Sequence, residues 1–380
     1  MKNVKLYFAT NRKHEGEDRW NPSSYGTRFS SDGHENLRFG ELTTEFHQDE
    51  VQAFVDKKDK TGRIGDGVGL SGYFTKKSKQ AVIKAYQDLT TEAVEEIQQA
   101  NNSSFNLFHN LKETMMEKGG KDVLIYIHGY NVSWDEAVGS ALSLQHMLNS
   151  QQKRDAKDVV VVLFSWPSNG SMMPFAAYRS DRSDARDSGK SIGRGLLKLK
   201  DFLNTLYCDA KEGKQELCNQ NIHLLCHSMG NYVLENGLKN KLIGYTKGSV
   251  LPRIFKNVFL CAPDVKDDAL ESGNGLSRLH EMASNVTIYY NDGDLGMEIS
   301  KYTKSLSEKL GHTGNAHPAL VHNKVQQVDC SRIVHGIVEH SYYLWATVNQ
   351  DIAQSISGME PDHKKRERKR NGQNREWVLT

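Results

Sequence analysis

Over most of the last two thirds of this chain, short apolar runs alternate with stretches in which apolar residues recur at helical spacing. The runs are VLIYI (123–127), VVVVLF (159–164), IHLLC (222–226), NVFLCA (257–262), VTIYY (286–290) and VQQV (325–328). Runs of this length, rich in Val and Ile, are typical of strands that are covered on both faces. Alternation with helices favours parallel strands joined by right-handed crossovers. The pattern therefore predicts an α/β fold, with a mainly parallel twisted sheet and helices on both faces.

Composition sets limits on the class of protein. The chain has 380 residues, 37% hydrophobic and 25% charged, which allows a large core and is not a disorder signature. No apolar run reaches the length of about 18 residues that a membrane-spanning helix needs. The N-terminal apolar stretch is too short for a signal peptide. The five cysteines form no CxxC pair. We therefore expect reduced thiols and a cytoplasmic location.

The chain divides into three segments. Residues 1–120 are predicted to contain the first strand of the sheet (4–10), Gly-rich loops and helical spacing from about residue 79 to 117, and to pack on a core of residues 121–357. Residues 358–380 include HKKRERKR and predict a basic, flexible tail that could contact an anionic surface. No basic stripe interleaved with aromatic residues appears, so we expect no specific nucleic-acid binding.

Functional residues of parallel sheets lie beyond the carboxyl ends of the strands. At one such end the chain reads LLCHSMG, and a helical pattern follows. A nucleophile elbow raises a serine at a strand-to-helix turn and requires small residues two before and two after it. Gly230 satisfies the second position, whereas Cys226 stands at the first. Ser228 is therefore a candidate nucleophile, and the N–H of Met229 should contribute to an oxyanion hole.

A second strand end reads VLIYIHGYN. Gly129 directly follows His128 after the strand and allows a sharp turn, so that main-chain N–H groups can point into a cleft. An oxyanion hole needs such donors, each of which is worth about 10²–10³ in rate. An ordinary strand-to-loop glycine would give the same pattern. We predict the N–H of Tyr130 as the second donor of the oxyanion hole.

Acids and histidines follow in the order that α/β-hydrolases use for their triads, serine, then acid, then histidine. VTIYYNDGDLG supplies Asp292 and Asp294, and IVEHSYYLW supplies His340 after the last strand. Asp264, in APDV, also follows a strand and is an alternative acid. Three further histidines could replace His340, namely His317, His322 and His335.

Several ordered motifs together resemble a known family. They are VLIYIHGYNVSWDEA, LFSWPSNGS, LLCHSMGNYVL, LCAPDV, VTIYYNDGDLGMEIS and EHSYYL, with YFATNR near the N-terminus. The chain is similar in these to DUF900, an α/β-hydrolase family of unknown function with esterase/lipase-like character. The resemblance covers the first few residues and about 122–352. It implies an α/β-hydrolase fold with Asp294 as the acid and His340 as the histidine; Cys226 departs from it, because a glycine usually stands there.

The residues and the resemblance lead to the hypothesis of a serine hydrolase that cleaves a carboxylic ester, of a lipid or another small molecule. Ser228 would attack the acyl carbonyl, His340 would take its proton, and Asp294 would hold the imidazole. No metal or organic cofactor is expected, since the histidines of HTGNAHPALVH lack a fitting carboxylate. Two alternatives stay open: a catalytically silent fold used for binding or regulation, and acyl transfer to an acceptor other than water.

The pocket is predicted from the segment after the second apolar run. Residues 165–189 should lie at the active-site edge, as a lid or pocket wall. The candidate pocket residues are His128, Trp166, Tyr178 and Arg182. Trp166 would accept an apolar acyl chain, while Tyr178 and Arg182 could meet a negatively charged head group. Plain packing of the crossover on the sheet fits the same pattern equally well.

Overall fold

The structure, a computed structural model, describes residues 1–58, 62–87, 103–151, 157–168, 174–214, 218–294, 308–334, 340–372 and 375–380, with the backbone alone for 151 and 174–177. The strands are β1 (Lys2–Thr10), β2 (Arg12–Glu15), β3 (Ser24–Phe29), β4 (Arg38–Phe46), β5 (Val82–Ala85), β6 (Lys121–Ile127), β7 (Asp158–Ser165), β8 (Ile222–His227), β9 (Phe255–Cys261), β10 (Ala283–Tyr290), β11 (Val325–Asp329), β12 (Arg368–Arg370) and β13 (Glu376–Leu379).

Helices connect and cover these strands. They are α1 (Gln48–Val55), α2 (Gly67–Ser78), α3 (Ser103–Met115), α4 (Trp134–Gln151), α5 (Pro174–Lys211), α6 (Gly230–Gly237), α7 (Ile243–Thr246), α8 (Leu279–Met282), α9 (Leu310–Thr313) and α10 (Ala346–Ile356), with a π-helical turn at Leu238–Leu242 and 3₁₀ turns at Pro318–Leu320 and Tyr342–Leu344. In the part of the chain that the structure describes, no helix is both long and apolar enough to cross a membrane.

One large sheet organises the molecule. Its 11 strands run in the order β12-β13-β11-β10-β9-β8-β6-β7-β1-β4-β5. Strands β1, β6 to β11 and β13 are parallel, whereas β4, β5 and β12 pair antiparallel at the two edges. The predicted parallel sheet is confirmed, and each of the six apolar runs forms one of the strands β6 to β11.

Both faces of the sheet are covered, because successive side chains of a strand point to opposite sides. In β8, Leu224 and Cys226 belong to the core that includes residues of α3, α5 and α6. Leu225, between them, belongs to the core that includes residues of α2, α4 and α10. Alternate residues of one strand therefore enter different cores, which explains the unbroken apolar runs in the sequence.

The N-terminal segment contributes to the same sheet. β1 pairs in parallel with β7 over Tyr7–Thr10, and antiparallel with β4. The helical spacing predicted from about residue 79 to 117 is confirmed in α3 but wrong at Val82–Ala85, which form the edge strand β5 beside β4. Residues 88–102 of this range lie outside the described residues. Val82 is 73% exposed. Half of a short edge strand faces solvent, so its periodicity is a weak signal.

The prediction of a flexible tail over residues 358–380 is wrong for the part of it that the structure describes. β13 lies beside β11 in parallel, and β12 forms an antiparallel pair with β13. Arg366 is buried and lies 2.8 Å from Asp351, and the buried Arg368 lies over the ring of Trp377. Two cations of the basic run are therefore part of the core. Contact of the exposed cations with an anionic surface stays a prediction; these are Lys364, Lys365, Lys369 and Arg370.

Candidate active site

Ser228 occupies a strained turn between β8 and α6. Its φ angle is 51°, in the left-handed region that residues other than glycine rarely adopt. Its N–H donates to the Cys261 carbonyl at 2.9 Å, and its own carbonyl accepts from the N–H of Asp264 at 3.1 Å. Asn231 donates from Nδ2 to the carbonyls of both Ser228 and Cys226. These bonds hold the serine backbone in an elbow conformation.

The flanking positions explain the sequence of the turn. A Cβ on Gly230 would lie 2.6 Å from the Ile127 carbonyl oxygen, so only glycine fits there. Cys226 is fully buried, with its side chain in the core of the α5 and α6 face. Burial raises the pKa of the Cys226 thiol well above its ordinary value, so it stays protonated. The cysteine is a core side chain, and the turn forms without the usual first glycine.

The HGYNV loop (128–132) passes close to this elbow. A Cβ on Gly129 would lie 2.9 Å from the Cβ of Ser228 and 3.0 Å from Nδ1 of His227, which explains the glycine. Asn131 has a φ of 58° and donates its N–H to Oδ2 of Asp181 at 3.1 Å. The loop therefore turns sharply directly beside the serine.

Arg12 anchors the same loop from the N-terminal segment. The side chain is buried and donates from Nη2 to the Val132 carbonyl at 2.8 Å, from Nη1 to the Gly26 carbonyl at 3.0 Å, and from Nε to Ser165 Oγ at 2.8 Å. Burial lowers the pKa of Arg12 to about 9, although the charge of Asp181 opposes the shift. The guanidinium remains charged at neutral pH and holds the loop through main-chain contacts.

His128 is the first residue of this loop and is fully buried. Its Nδ1 lies 2.9 Å from the Gly129 carbonyl, so Nδ1 carries the proton and Nε2 accepts from the N–H of Trp166 at 3.2 Å. Burial lowers the pKa of His128 well below its ordinary value, and nearby Arg12 lowers it further. The rings of His128 and Trp166 stack at 5.2 Å, and both side chains are 0% exposed. Neither predicted pocket residue is accessible to solvent here.

His340 and Asp294 meet at the carboxyl edge of the sheet. Nδ1 of His340 lies 2.7 Å from Oδ2 of Asp294, whose side chain is 1% exposed. With the proton on Nδ1, the Nε2 of His340 can accept a proton from a reacting group. Asp292 is exposed and donates its N–H to Ser331 Oγ at 3.0 Å. Of these two acids, only Asp294 contacts the histidine.

Two tyrosines support the segment after His340. Tyr342 donates to the Tyr289 carbonyl at 2.9 Å and accepts from the Ala262 N–H at 3.0 Å. The Tyr343 hydroxyl lies 2.6 Å from that of Tyr126. The SYY sequence therefore ties the histidine segment to the ends of β9 and β10 and to β6.

Asp264 has partners other than a histidine. It is buried, accepts from the Tyr178 hydroxyl at 2.7 Å, and pairs with Arg182 at 3.3 Å and Lys309 at 3.0 Å. Arg182 in turn lies over the ring of Tyr232, 3.7 Å from its centroid. The structure thus places Tyr178 and Arg182 with Asp264, in a cluster directly beside the elbow.

Among the described residues, no hydrogen bond, ion pair or ring contact connects the alternative histidines to the elbow. His317 is exposed and lies 3.0 Å from Glu271, and His322 stacks on His280 at 4.0 Å. His335 lies outside the described residues. In the part of the chain that the structure describes, no group of three or more His, Cys, Asp or Glu is arranged to hold a metal ion.

Comparison with known proteins identifies the family. Residues 103–354 match the family described as "Alpha/beta hydrolase of unknown function (DUF900)". The chain belongs to this family. It carries the α/β-hydrolase fold, and the DUF900 match spans every element of the site except Arg12.

Individual relatives are distant. The uncharacterized protein alr1448 of Nostoc sp. is 23% identical over 325 residues, covering 69% of this chain and 79% of that protein. Aspergillus fumigatus lipase B matches with a TM-score of 0.35 and 13% identity over 64% of this chain, which spans 53% of the lipase. A cutinase-like protein of Cryptococcus sp. matches with a TM-score of 0.27 and 15% identity, over 62% and 92% of the two chains. Neither structural likeness bears on the substrate.

Proposed function

We propose that this DUF900 protein is a serine hydrolase that cleaves carboxylic esters through an acyl-enzyme. The observation that carries the proposal is the 2.7 Å contact between His340 Nδ1 and Asp294 Oδ2, at the sheet edge where the strained elbow presents Ser228. A carboxylate on Nδ1 fixes the imidazole tautomer that leaves Nε2 free as a base. A fold used only for binding or regulation would not require this acid–histidine pair at the sheet edge that carries a strained serine.

The mechanism follows from the roles of these groups. His340 takes the proton of Ser228 as its Oγ attacks the acyl carbonyl, and Asp294 stabilises the resulting imidazolium. His340 then returns the proton to the leaving alcohol, so that the alcohol departs and the acyl group stays on Ser228. A water molecule activated by His340 releases the acid and restores the free serine. Among the described residues Ser228 Oγ makes no hydrogen bond, to His340 included, so in this mechanism the two side chains meet when the substrate binds.

The oxyanion would be stabilised by main-chain donors. The N–H of Met229 donates to none of the described residues and belongs to the residue after the serine, the position that this fold uses. The N–H of Tyr130 is the proposed second donor, in the loop that Gly129 brings against Ser228. Loss of one such donor costs about 10²–10³ in rate where it has been measured.

Labelling with a fluorophosphonate probe tests the proposal. The native protein should be labelled, and Ser228→Ala should not, because the probe reacts with an activated serine. Ser341→Ala is a matched control, since Ser341 lies one residue from His340 but outside the proposed triad. Hydrolysis of p-nitrophenyl butyrate should follow the same pattern. Absence of labelling in a folded native protein would favour the silent fold, and labelling without release of free acid would favour acyl transfer.

A further inference from the structure

The cluster around Asp264 holds more positive than negative charge. Arg182 and Lys309 both pair with this one carboxylate, and their side chains are only 11% and 2% exposed. Within the described residues, no second carboxylate lies within ion-pairing distance of either cation. Burial disfavours an unbalanced charge unless a partner compensates it. The cluster is therefore electrostatically prepared for one more negative group.

Arg182 retains hydrogen-bonding capacity that the protein does not use. Its Nη1 donates to Tyr178 and Asp264, whereas its Nε is buried without any partner. Its Nη2 donates to no described residue. Burial lowers the pKa of Arg182, but the charges of Asp264 and Tyr178 outweigh this effect and raise the pKa above its ordinary value. Arg182 is thus a permanent cation with an unused edge, and it lies over the ring of Tyr232.

The cluster lies beside the proposed nucleophile. The N–H of Asp264 donates to the carbonyl of Ser228 at 3.1 Å, which ties the cluster to the elbow. Tyr232 lies four residues after Ser228, on the helix that begins at the elbow, and Tyr130 packs edge-on against Tyr178 with ring centroids 5.6 Å apart. A group bound by Arg182 would therefore lie near the scissile ester.

We propose that Arg182 binds an anionic group of the substrate, so that the preferred esters carry a carboxylate or a phosphate near the scissile bond. This inference rests on the proposed ester hydrolysis. The unused edge of the guanidinium suits both anions, because its N–H groups match carboxylate and phosphate oxygens. Lys309 adds positive potential from the far side of Asp264, while Tyr178 and Asp264 hold the guanidinium in place.

The test compares matched ester pairs. One pair is the p-nitrophenyl monoester of glutaric acid and the p-nitrophenyl ester of valeric acid, equal in chain length and different in a terminal carboxylate. The other is monobutyryl glycerol 3-phosphate and monobutyryl glycerol, which differ in a phosphate. The native protein should favour the anionic member of at least one pair by about 10- to 100-fold in kcat/KM, the range for a hydrogen bond to a charged group. Which pair shows the preference identifies the anion.

Two variants separate the outcomes. Arg182→Gln should abolish the preference, because it lowers kcat/KM for the anionic esters more than for the neutral ones. Arg186→Gln, one turn along α5 and 57% exposed, should keep the preference. If Arg182→Gln does not fold, Arg182→Lys replaces it and should lose most of the preference, because lysine lacks the planar fork. A native protein without preference, or a preference that survives Arg182→Gln, would overturn the inference alone.

A binding measurement keeps the inference independent of turnover. Calorimetric titration of Ser228→Ala with the glutarate monoester should show binding that disappears when Arg182→Gln is added. Loss of all Ser228-dependent hydrolysis and labelling, with this binding retained, would refute the proposed chemistry and leave the anion site standing. Absence of binding in Ser228→Ala would count against the anion site.

Discussion

His227 donates a hydrogen bond from Nε2 to the backbone carbonyl of His340, 3.1 Å away. The residue before the proposed nucleophile thus holds the main chain of the proposed base, and the two imidazole rings lie 4.7 Å apart. Burial lowers the pKa of His227 to about 3, and the neighbouring His340 lowers it as well. His227 is therefore neutral at physiological pH, with its proton on the nitrogen that makes this bond.

Replacing His227 tests this positioning role. His227→Phe removes the donor and should lower kcat by about fivefold with little change in KM, because one hydrogen bond is worth about 1 kcal/mol. His227→Gln can still donate and should recover most of kcat. Steady-state kinetics of both variants measures kcat and KM, and thermal unfolding checks that both variants fold. A purely structural role would move the unfolding temperature of both variants and leave their kcat values alike.

Asp294 and Asp264 should respond differently to the same substitution. Asp294→Asn should lower kcat by about 10⁴, the loss known for the acid of such a triad, with the fold preserved. Asp264→Asn should instead destabilise the protein by about 3–5 kcal/mol, because it leaves Arg182 and Lys309 buried without their carboxylate. Hydrolysis rates and urea denaturation curves of both variants would show this crossed pattern. Equal loss of rate with equal stability would contradict the separation of roles.

Arg12 should be required for stability as well as for the loop. Arg12→Met removes the donor to the half-buried carbonyls of Val132 and Gly26 and to the buried Ser165 Oγ, which keeps its contact with His128. Each acceptor left unpaired costs about 1–3 kcal/mol. We expect the free energy of unfolding to fall by more than about 3 kcal/mol, as measured by urea denaturation. Arg28→Met, on the exposed surface of β3, is the matched control and should change little. Similar midpoints for the two variants would show that Arg12 does not anchor the loop.

Stability should decrease as the pH falls below about 6.5. Burial lowers the pKa values of four histidines that are buried or half-buried in the native protein. The pKa falls to about 3 for His227 and to about 4 for His146, and it is also lowered for His128 and His223. Below pH 6.5 the unfolded chain therefore binds protons that the native protein does not, so unfolding becomes more favourable. Each histidine contributes up to about 1.4 kcal/mol per pH unit.

One variant isolates a single histidine from this dependence. His146 stacks on Phe74, and its Nε2 is buried without a partner. His146→Phe should reduce the slope of unfolding free energy against pH by about 1 kcal/mol per pH unit between about pH 6 and 4.5. Urea denaturation across this range measures the slope. His47→Phe, at an exposed position, should leave it unchanged; equal slopes in both variants would contradict the assignment.

The sequence allowed the sheet and the elbow to be predicted because both are local signals. The unbroken apolar runs follow from strands buried on both faces, and Gly129 and Gly230 stand where a Cβ would meet neighbouring backbone or side-chain atoms. The residues alone did not distinguish Asp294 from Asp264, since both acids follow a strand, and only the family resemblance favoured Asp294. Arg12 stands in the YFATNR motif, but neither that motif nor the sequence around Asp181 indicates a site role, because a lone charged residue is ordinarily exposed and nothing local marks its burial.

The tail and the edge strand are the places where the prediction from sequence was wrong. HKKRERKR has the composition of a solvated run, yet Arg366 and Arg368 are buried, and both pair with Asp351 on α10. Such a pair is specified by residues from different elements, and composition within one segment does not reveal it. In β5 the exposed Val82 removes the alternation that would have marked a strand.

The pairing of β1 with β7 has a consequence for how activity arises during biosynthesis. β1 is synthesised long before β7, and its partner β4 lies nearby in the chain, so these two strands can associate early. The segment that follows β1 carries Arg12 to the HGYNV loop only when this early unit docks on β7. Because β1, β4, β6 and β7 all precede the serine turn in the chain, this docking can anchor the loop before the elbow is synthesised, and the proposed hydrolysis would depend on both steps.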